Sequence, residues 1–482
     1  MNKVIGIDLG TSSIKATLAY INGEIIVSES INYPLLMIKE NWAEQNPLDW
    51  YHSLVTVLHN LNKKSSLDTV EGVSFSGQMH GLVILDDNDE VIRPAILWND
   101  GRTVNEVTEI NKIKNLMEYT GNIALTGFTA PKILWIKYNE PKNFKKIKKI
   151  MLPKDYLAYK MSGVFASDVT DNSGTLYFDV KNKKWSEEML KFLGINEEFL
   201  PTIYASSDVI GTISPEFAKI SGLSVNTKVI IGGGDQAIGA IGTGTIDNNQ
   251  VSISLGTSGV VFASSENYIF EKEHRLHSFC HANGKYHVMG VTLSSAASMK
   301  WWVENILKMT DYKQLIEEIE VDNINNLIFL PYLMGERSPI NDPHAKSIFY
   351  NLSLIHERKD ITKAIIEGIA FSLYDCLKVI YSMNINPKYA RVIGGLTKSE
   401  KILQVLADIL GLELRTINVT EGASLGAVIM AINGCYPEKE LKDICNSTIH
   451  EDKVFIPNQN NHKKYNAKFS TYKKIYKLEK SI

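Results

Sequence analysis

Cysteine is scarce and scattered in this sequence. The four cysteines, Cys280, Cys376, Cys435 and Cys445, lie far apart along 482 residues and include no CxxC pair. A chain of this length can bury a sizeable core without disulfides, and scattered thiols are typical of a reducing compartment. We therefore predict a cytoplasmic protein.

Long hydrophobic runs are also absent. No stretch approaches the ~18 consecutive apolar residues of a membrane helix, and Asp8 interrupts the apolar N-terminal segment too early for a secretory signal. Nor does one charge sign dominate, since 51 basic and 54 acidic residues give a formal net charge of −3. A nearly neutral chain gives no reason to expect a nucleic-acid or membrane partner.

The chain does contain a repeated strand–turn–strand motif. Residues 4–12 read VIGIDLGTS and residues 250–258 read QVSISLGTS, and strand-like residues follow both. Each copy predicts a β-hairpin with a polar turn. Because the copies lie roughly half a chain apart, they indicate a duplicated domain.

Strand-like and helical patterns alternate in both halves. Extended segments follow each hairpin, at 23–33 and 285–293. Helical spacing of apolar residues, or a strand, loop and helix in succession, appears at 47–61, 295–309, 360–383, 389–411 and 412–433. Such alternation is typical of an α/β fold, and we predict a mixed sheet in each half.

The two Gly-Thr-Ser turns are candidate phosphate sites. Backbone N–H groups and hydroxyls with little steric bulk suit phosphate oxygens, although one such turn alone is more often an ordinary hairpin. Two copies, one in each half, could clamp a polyphosphate. The first copy has Asp8 where the second has Ser254, so Asp8 is a candidate Mg²⁺ ligand, directly or through water, or else a turn-capping aspartate.

A third glycine turn lies in RVIGGLTKS at 391–399, where Gly394 and Gly395 would let a flat base or ribose approach the backbone. The sequence contains neither a GxxxxGK[ST] loop nor a GxGxxG fingerprint in a βαβ unit. A nucleotide site would therefore be of another kind.

The segment IGGGDQAIGAIGTG at 231–244 places one carboxylate, Asp235, among six glycines. It follows a strand-like run at the predicted domain junction, where clefts form. A carboxylate there could accept the proton of a hydroxyl that attacks phosphorus. The alternative is an aspartate in a flexible linker.

Together these segments and several others resemble the FGGY family of carbohydrate kinases, in order from residue 4 to about residue 430. DLGTSS alone would indicate only the wider superfamily of actin-like ATPases. The segments that carry the resemblance are IGIDLGTSS, FSGQMHG, RPAILWNDGR, GFTAPKILW, MLPKDYL, GGGDQAIGA, SLGTSG, HSFCHA, FLPYLMGERSP and VIGGL followed by KS.

The resemblance implies an α/β fold of two ribonuclease-H-like (actin-like ATPase) domains, with mixed sheets flanked by helices and a cleft between them. Residues 1–245 would form the sugar-binding lobe and residues 246–482 the nucleotide-binding lobe. The implied activity is ATP-dependent phosphorylation of D-xylulose to D-xylulose 5-phosphate with ATP and Mg²⁺. Because homologues are often dimers, a homodimer is also an expectation.

The same resemblance implies roles for individual residues. Asp235 would be the general base and, with Met79 and His80, would contact the sugar, while Asp8 would act near Mg²⁺. The nucleotide would lie along two further groups, the phosphates at Thr11, Ser12, Gly256 and Thr257 and the adenosine at Gly394 and Gly395.

Alternatives remain open at this point. The substrate could be another polyol or sugar acid, such as gluconate, ribulose or glycerol, and a gluconate kinase should show cations near the substrate carboxylate, for which these motifs offer at most Arg102. A nucleotide-binding sensor or assembly protein would be expected to have lost Asp235. Trp98 and Asp100 could face the sugar or be structural. Leu396 departs from the usual glycine-rich pattern, which leaves the nucleotide preference open.

Overall fold

The computed structural model describes residues 2–419 and 421–480. The strands of the first half are β1 (Lys3–Leu9), β2 (Ser13–Tyr20), β3 (Ile25–Asn32), β4 (Glu44–Gln45), β5 (Val70–Gly77), β6 (Val83–Leu85), β7 (Ala95–Ile96), β8 (Lys149–Met151), β9 (Ala166–Asp168), β10 (Phe178–Asp179), β11 (Lys184–Trp185), β12 (Thr202–Tyr204), β13 (Val209–Thr212) and β14 (Lys228–Gly234). Its helices are α1 (Pro47–Lys64), α2 (Val104–Ile110), α3 (Leu116–Thr120), α4 (Thr129–Asn139), α5 (Pro141–Phe144), α6 (Pro153–Ser162), α7 (Val169–Asn172), α8 (Glu187–Leu193), α9 (Pro215–Ser221) and α10 (Asp235–Gly242).

The strands of the second half are β15 (Val251–Leu255), β16 (Gly259–Ser265), β17 (His277–Cys280), β18 (Tyr286–Thr292), β19 (Ile328–Leu330), β20 (Ile348–Tyr350), β21 (Tyr389–Ile393), β22 (Glu413–Ile417) and β23 (Glu451–Phe455). Its helices are α11 (Ala296–Lys300), α12 (Tyr312–Glu317), α13 (Arg358–Ser382), α14 (Glu400–Leu410), α15 (Gly422–Cys435), α16 (Leu441–Thr448) and α17 (Gln459–Glu479). Short 3₁₀ turns span Glu197–Phe199 and Gly395–Lys398, and a π-helical segment spans Trp301–Ile306.

Two mixed sheets with matching topology form the centres of the two halves. The first has the order β13-β14-β5-β1-β2-β3, and β1, β5 and β14 run parallel. The second has the order β17-β18-β16-β15-β21-β22-β23, and β15, β21 and β22 run parallel. In each, an antiparallel hairpin precedes two parallel strands. The predicted duplication and the fold of two ribonuclease-H-like domains are confirmed.

The two repeated motifs are the hairpins at the centres of these sheets. Strands β1 and β2 pair up to Leu9 and Ile14, whereas β15 and β16 pair up to Leu255 and Gly259. The second turn is therefore one residue shorter than the first. Both predicted hairpins are confirmed, and both turns lie at the carboxyl end of a central strand.

Helix α15 joins the two halves. It belongs to the second half of the chain but packs on the first sheet, where a Cβ on Gly6 of β1 would lie 2.6 Å from the Val428 nitrogen. It also crosses α10 at glycines, because a Cβ on Gly242 or Gly426 would overlap a carbonyl of the facing helix. The boundary between residues 245 and 246 remains a prediction, and α15 packs across it.

The helices predicted at 47–61 and 360–383 are confirmed as α1 and α13. Asn46 caps α1 by accepting a hydrogen bond from the Leu48 N–H, and a proline follows as the first helical residue. The helical pattern at 295–309 corresponds to two successive segments, because α11 ends at Lys300 and a π-helical segment continues to Ile306. This segment begins with two adjacent tryptophans, of which Trp301 stacks on Phe329 and Trp302 donates to the Thr362 hydroxyl.

Among the helices that the structure describes, none combines the length and the apolar character needed to cross a bilayer.

Candidate active site

Asp235 is the first residue of α10, immediately after β14. The glycines around it allow two close approaches. Gly232 has φ of +67°, and a Cβ there would overlap the Phe75 carbonyl of the neighbouring strand, while Gly242 meets α15. The glycine run therefore serves packing and holds Asp235 at the junction of the two halves, rather than forming a flexible linker.

Asp235 and Asp8 lie in a shared electrostatic environment. Both are half-buried, and Asp8 is the penultimate residue of β1. Burial, then the charge of Asp8, raises the pKa of Asp235 to about 7. Burial also raises the pKa of Asp8 to about 6. Two carboxyls with pKa values near neutrality can exchange protons at physiological pH or hold a cation between them.

Side chains of the first half support the turn that contains Thr11 and Ser12. The Gln45 amide donates to the Thr11 carbonyl at 2.6 Å, and the Trp98 indole donates to the Thr11 hydroxyl at 2.9 Å. The Gly10 N–H closes the turn on the Ser13 carbonyl at 3.0 Å. The Ser12 side chain is exposed. Trp98 is thus placed beside a candidate phosphate turn.

The turn that contains Gly256 and Thr257 is supported by backbone instead. Its carbonyls accept hydrogen bonds from the N–H groups of Ser295, Ala296 and Ala297 at the start of α11, at 2.9–3.2 Å. No hydrogen bond between described residues links this turn to the Thr11–Ser12 turn. Any ligand held by both turns would have to bridge them itself.

A cavity of about 1050 Å³ adjoins the second turn and is lined by Thr257, Lys300, Trp301, Gly395 and Leu396, among others. Gly394 has φ of +106°, and a Cβ there would lie 2.6 Å from the Leu255 backbone, so only glycine fits. Leu396 needs no such freedom, because it lies in a 3₁₀ turn and packs into the core with 9% of its surface exposed.

Met79 lies beside the end of β14, and the next residue, His80, is held by groups of the first half. A Cβ on Gly234 would lie 2.8 Å from Met79 Cγ, so Met79 packs beside the residue that precedes Asp235. The His80 Nδ1 shares a hydrogen bond with the Gly174 carbonyl at 2.9 Å, and the ring lies edge-on to Phe128. Burial, then the charge of Lys132, holds the pKa of His80 well below its usual value. His80 is therefore neutral at physiological pH.

A buried charge cluster near Asp235 was not predicted from the sequence. Lys154 Nζ lies 2.5 Å from Asp155, 2.9 Å from Asp168 and 3.8 Å from Asp171, and all four side chains are inaccessible to solvent. Asp168 accepts from the Thr170 hydroxyl, and Thr170 in turn accepts from the Gly234 N–H at 3.0 Å. MLPKDYL and SDVTD were visible in the sequence, but local spacing does not reveal that they meet.

Asp100 and Arg102, which the sequence left open as sugar contacts, are structural. Asp100 accepts from the Arg102 guanidinium and from the Ala43 N–H, and 1% of its surface is exposed. Arg102 also pairs with Glu44 at 2.7 Å. Neither group is available to a substrate in this arrangement.

Family models match both halves of the chain. Residues 3–242 match the N-terminal domain of the FGGY family of carbohydrate kinases, and residues 251–434 match its C-terminal domain. The chain belongs to the FGGY family of carbohydrate kinases. It is an enzyme that transfers a phosphoryl group from ATP to an alcohol group of a small-molecule sugar.

Individual relatives are similar over their whole length. The chain is 37% identical to a xylulose kinase of Escherichia coli (strain K12), with 98% of each chain covered. It superposes with a TM-score of 0.94 on a xyloylose kinase from Brucella ovis (32% identity, 100% of each chain). It superposes with a TM-score of 0.93 on a gluconate kinase from Lactobacillus acidophilus (27% identity, 99% of this chain and 98% of that chain).

Proposed function

We propose that this kinase phosphorylates D-xylulose at its 5-hydroxyl and that Asp235 is the general base. The observation that carries the proposal is the position of Asp235, at the start of α10 with a pKa raised to about 7 by burial and Asp8. The similarity to xylulose kinases over the full length supports the choice of sugar.

In the proposed reaction the 5-hydroxyl oxygen attacks the γ-phosphorus and its proton passes to the Asp235 carboxylate. A base with a pKa near the working pH is unprotonated often enough to act and basic enough to accept the proton. Phosphoryl transfer otherwise depends mainly on alignment and charge neutralisation. Met79, packed on Gly234, and the neutral His80 would align the sugar.

The nucleotide would occupy the second half. Gly394 and Gly395 would face the adenosine in the cavity beside Thr257, and the phosphates would follow Gly256 and Thr257 towards Thr11 and Ser12. The size of the cavity, about 1050 Å³, suits a nucleoside.

Mg²⁺ would bind near Asp8. The proximity of Asp8 and Asp235 favours a divalent cation, since each carboxyl is destabilised as an anion by burial. No cluster of three or more His, Cys, Asp or Glu side chains in residues 2–419 and 421–480 could hold a metal by itself. Mg²⁺ would therefore take most ligands from phosphates and water, and would neutralise the charge of the phosphates.

The test is ADP release with a panel of D-xylulose, D-ribulose, gluconate and glycerol. We expect turnover with D-xylulose. Arg102, the cation that the motifs offered for a gluconate carboxylate, is paired with Asp100 and Glu44 and is not available to that carboxylate. Turnover confined to another polyol would overturn the choice of sugar. A cytoplasmic location and a homodimer remain predictions, the latter checked by light scattering.

A further inference from the structure

Arg337 lies in the segment between β19 and β20, and its backbone is held firmly. Glu336 Oε1 accepts hydrogen bonds from the Arg337 N–H and from the Leu293 N–H, both at 2.8 Å. The Ser338 N–H donates to the Val291 carbonyl at 2.9 Å. These bonds fix Arg337 beside the end of β18.

The guanidinium of Arg337 has no counter-charge among the residues that the structure describes. Within residues 2–419 and 421–480 no carboxylate pairs with it, and its buried Nε has no hydrogen-bond partner. Burial lowers the pKa of Arg337 to about 10, so the group remains a cation at neutral pH. The side chain is half-buried, and its fully buried Nε lacks a hydrogen-bond partner, which is costly and points to a ligand that supplies one.

The side chain lies near Phe128 and His80 of the first half and His277 of the second. Its Cζ lies 5.9 Å from the centre of the Phe128 ring. Its charge acts, after burial and Lys132, to lower the pKa of His80, and, after burial, to lower the pKa of His277. Asp235 responds instead to Asp8. Arg337 therefore faces the His80 side of the site rather than the side of phosphoryl transfer.

We propose that Arg337 binds the substrate, donating hydrogen bonds to the oxygen atoms at the end of the sugar remote from the reacting hydroxyl. The inference rests on the proposed function, in which Asp235 acts on one end and His80 lies further along the sugar. For D-xylulose the remote oxygens are those of the C1 hydroxyl and the C2 carbonyl. A planar guanidinium can bind two adjacent oxygens at once.

The same geometry has a second consequence. A carboxylate at C1 would meet Arg337 as an ion pair. A five-carbon sugar acid such as D-xylonate should therefore compete with D-xylulose more strongly than the neutral xylitol does.

The experiment compares Arg337→Met and Arg337→Lys with the wild type. In Arg337→Met we expect the KM for D-xylulose to rise about 10- to 100-fold, with the KM for ATP unchanged within about twofold. The preference for D-xylonate over xylitol as inhibitor should vanish in Arg337→Met and return in part in Arg337→Lys. Arg358→Met, which removes an exposed arginine paired with Glu318, is the matched control and should change none of these values.

An unchanged KM for D-xylulose in Arg337→Met, or a raised KM for ATP with the sugar KM unchanged, would overturn the proposal. If Arg337→Met does not fold, the proposal is tested instead by the KM for D-xylulose in Arg337→Lys and by the comparison of D-xylonate with xylitol as inhibitors. A wild type that phosphorylates gluconate but not D-xylulose would refute the proposed substrate and leave this inference standing. The proposed role of Arg337 would then be tested by the KM for gluconate in the same variants.

Discussion

The two halves place different residues at equivalent positions of one scaffold. Where the first half has Asp8 near the end of its central strand and Asp235 at the start of the helix after β14, the second half has Ser254 and Gly422. The sheets match in strand order, and the two helices cross each other. The duplicated fold thus supplies the positions, and only the first half fills them with carboxylates.

The two Gly-Thr-Ser turns also differ between the halves. The first is held by side chains, which engage both the carbonyl and the hydroxyl of Thr11. The second is held through its carbonyls, so the Thr257 side chain remains exposed beside the large cavity. We interpret the first half as the place of proton transfer and the second as the place of nucleotide binding.

Replacing the base should have the largest effect. Asp235→Asn removes the proton acceptor with little change in shape, and we expect kcat to fall by about 10² to 10⁴-fold. Binding of ATP and sugar, measured by calorimetry, should persist. A kcat like that of the wild type would end the assignment of Asp235.

Substituting the equivalent residues Asp8 and Ser254 tests directly whether the two halves have different roles. Asp8→Asn should lower kcat/KM for MgATP by about 10- to 100-fold, as expected for a group that orients a metal or its water. Ser254→Ala should change it by less than about threefold, because no charge is lost. Equal losses in both variants, measured across a range of Mg²⁺ concentrations, would contradict the division of roles.

A side chain added where α10 crosses α15 should lower the free energy of unfolding. A Cβ on Gly426 would overlap the Ile238 carbonyl of α10, so Gly426→Ala should destabilise the fold by about 1–3 kcal/mol. Gly395→Ala is the control for stability alone, since nothing lies within 4 Å of its added Cβ. Urea unfolding midpoints that match for both variants would show that α10 and α15 do not pack this closely.

The pH dependence should show the smallest effect. The base acts when unprotonated, so kcat/KM for the sugar should fall as the pH drops below about 7, the pKa of Asp235. Because the Asp8 charge helps to raise that pKa, the acid limb in Asp8→Asn should move to lower pH. Ser254→Ala should leave it in place. An acid limb that moves to higher pH in Asp8→Asn would show that the Asp8 charge does not raise the pKa of Asp235.

Much of the fold could be predicted from local pattern. The hairpins, the α/β alternation and helices α1 and α13 follow from periodicity and from capping residues such as Asn46. The π-helical segment was not predicted, and its Trp301 and Trp302 contact Phe329 and Thr362, which lie far away in the sequence. The assigned roles of the site residues remain predictions, although the structure brings Asp8, Met79 and Asp235 into one region.

The sequence alone determined the family, the duplication and the residues that stand out chemically, since each is written in a short contiguous motif. Only the tertiary structure decided which of them share an environment. The sequence does not distinguish Arg102 from Arg337 by charge state, yet Arg102 is neutralised by Asp100 and Glu44. Arg337 faces His80 with no counter-charge among the described residues. Pairing and burial depend on residues far apart in the chain, and these two quantities fix the charge and the reactivity of a group.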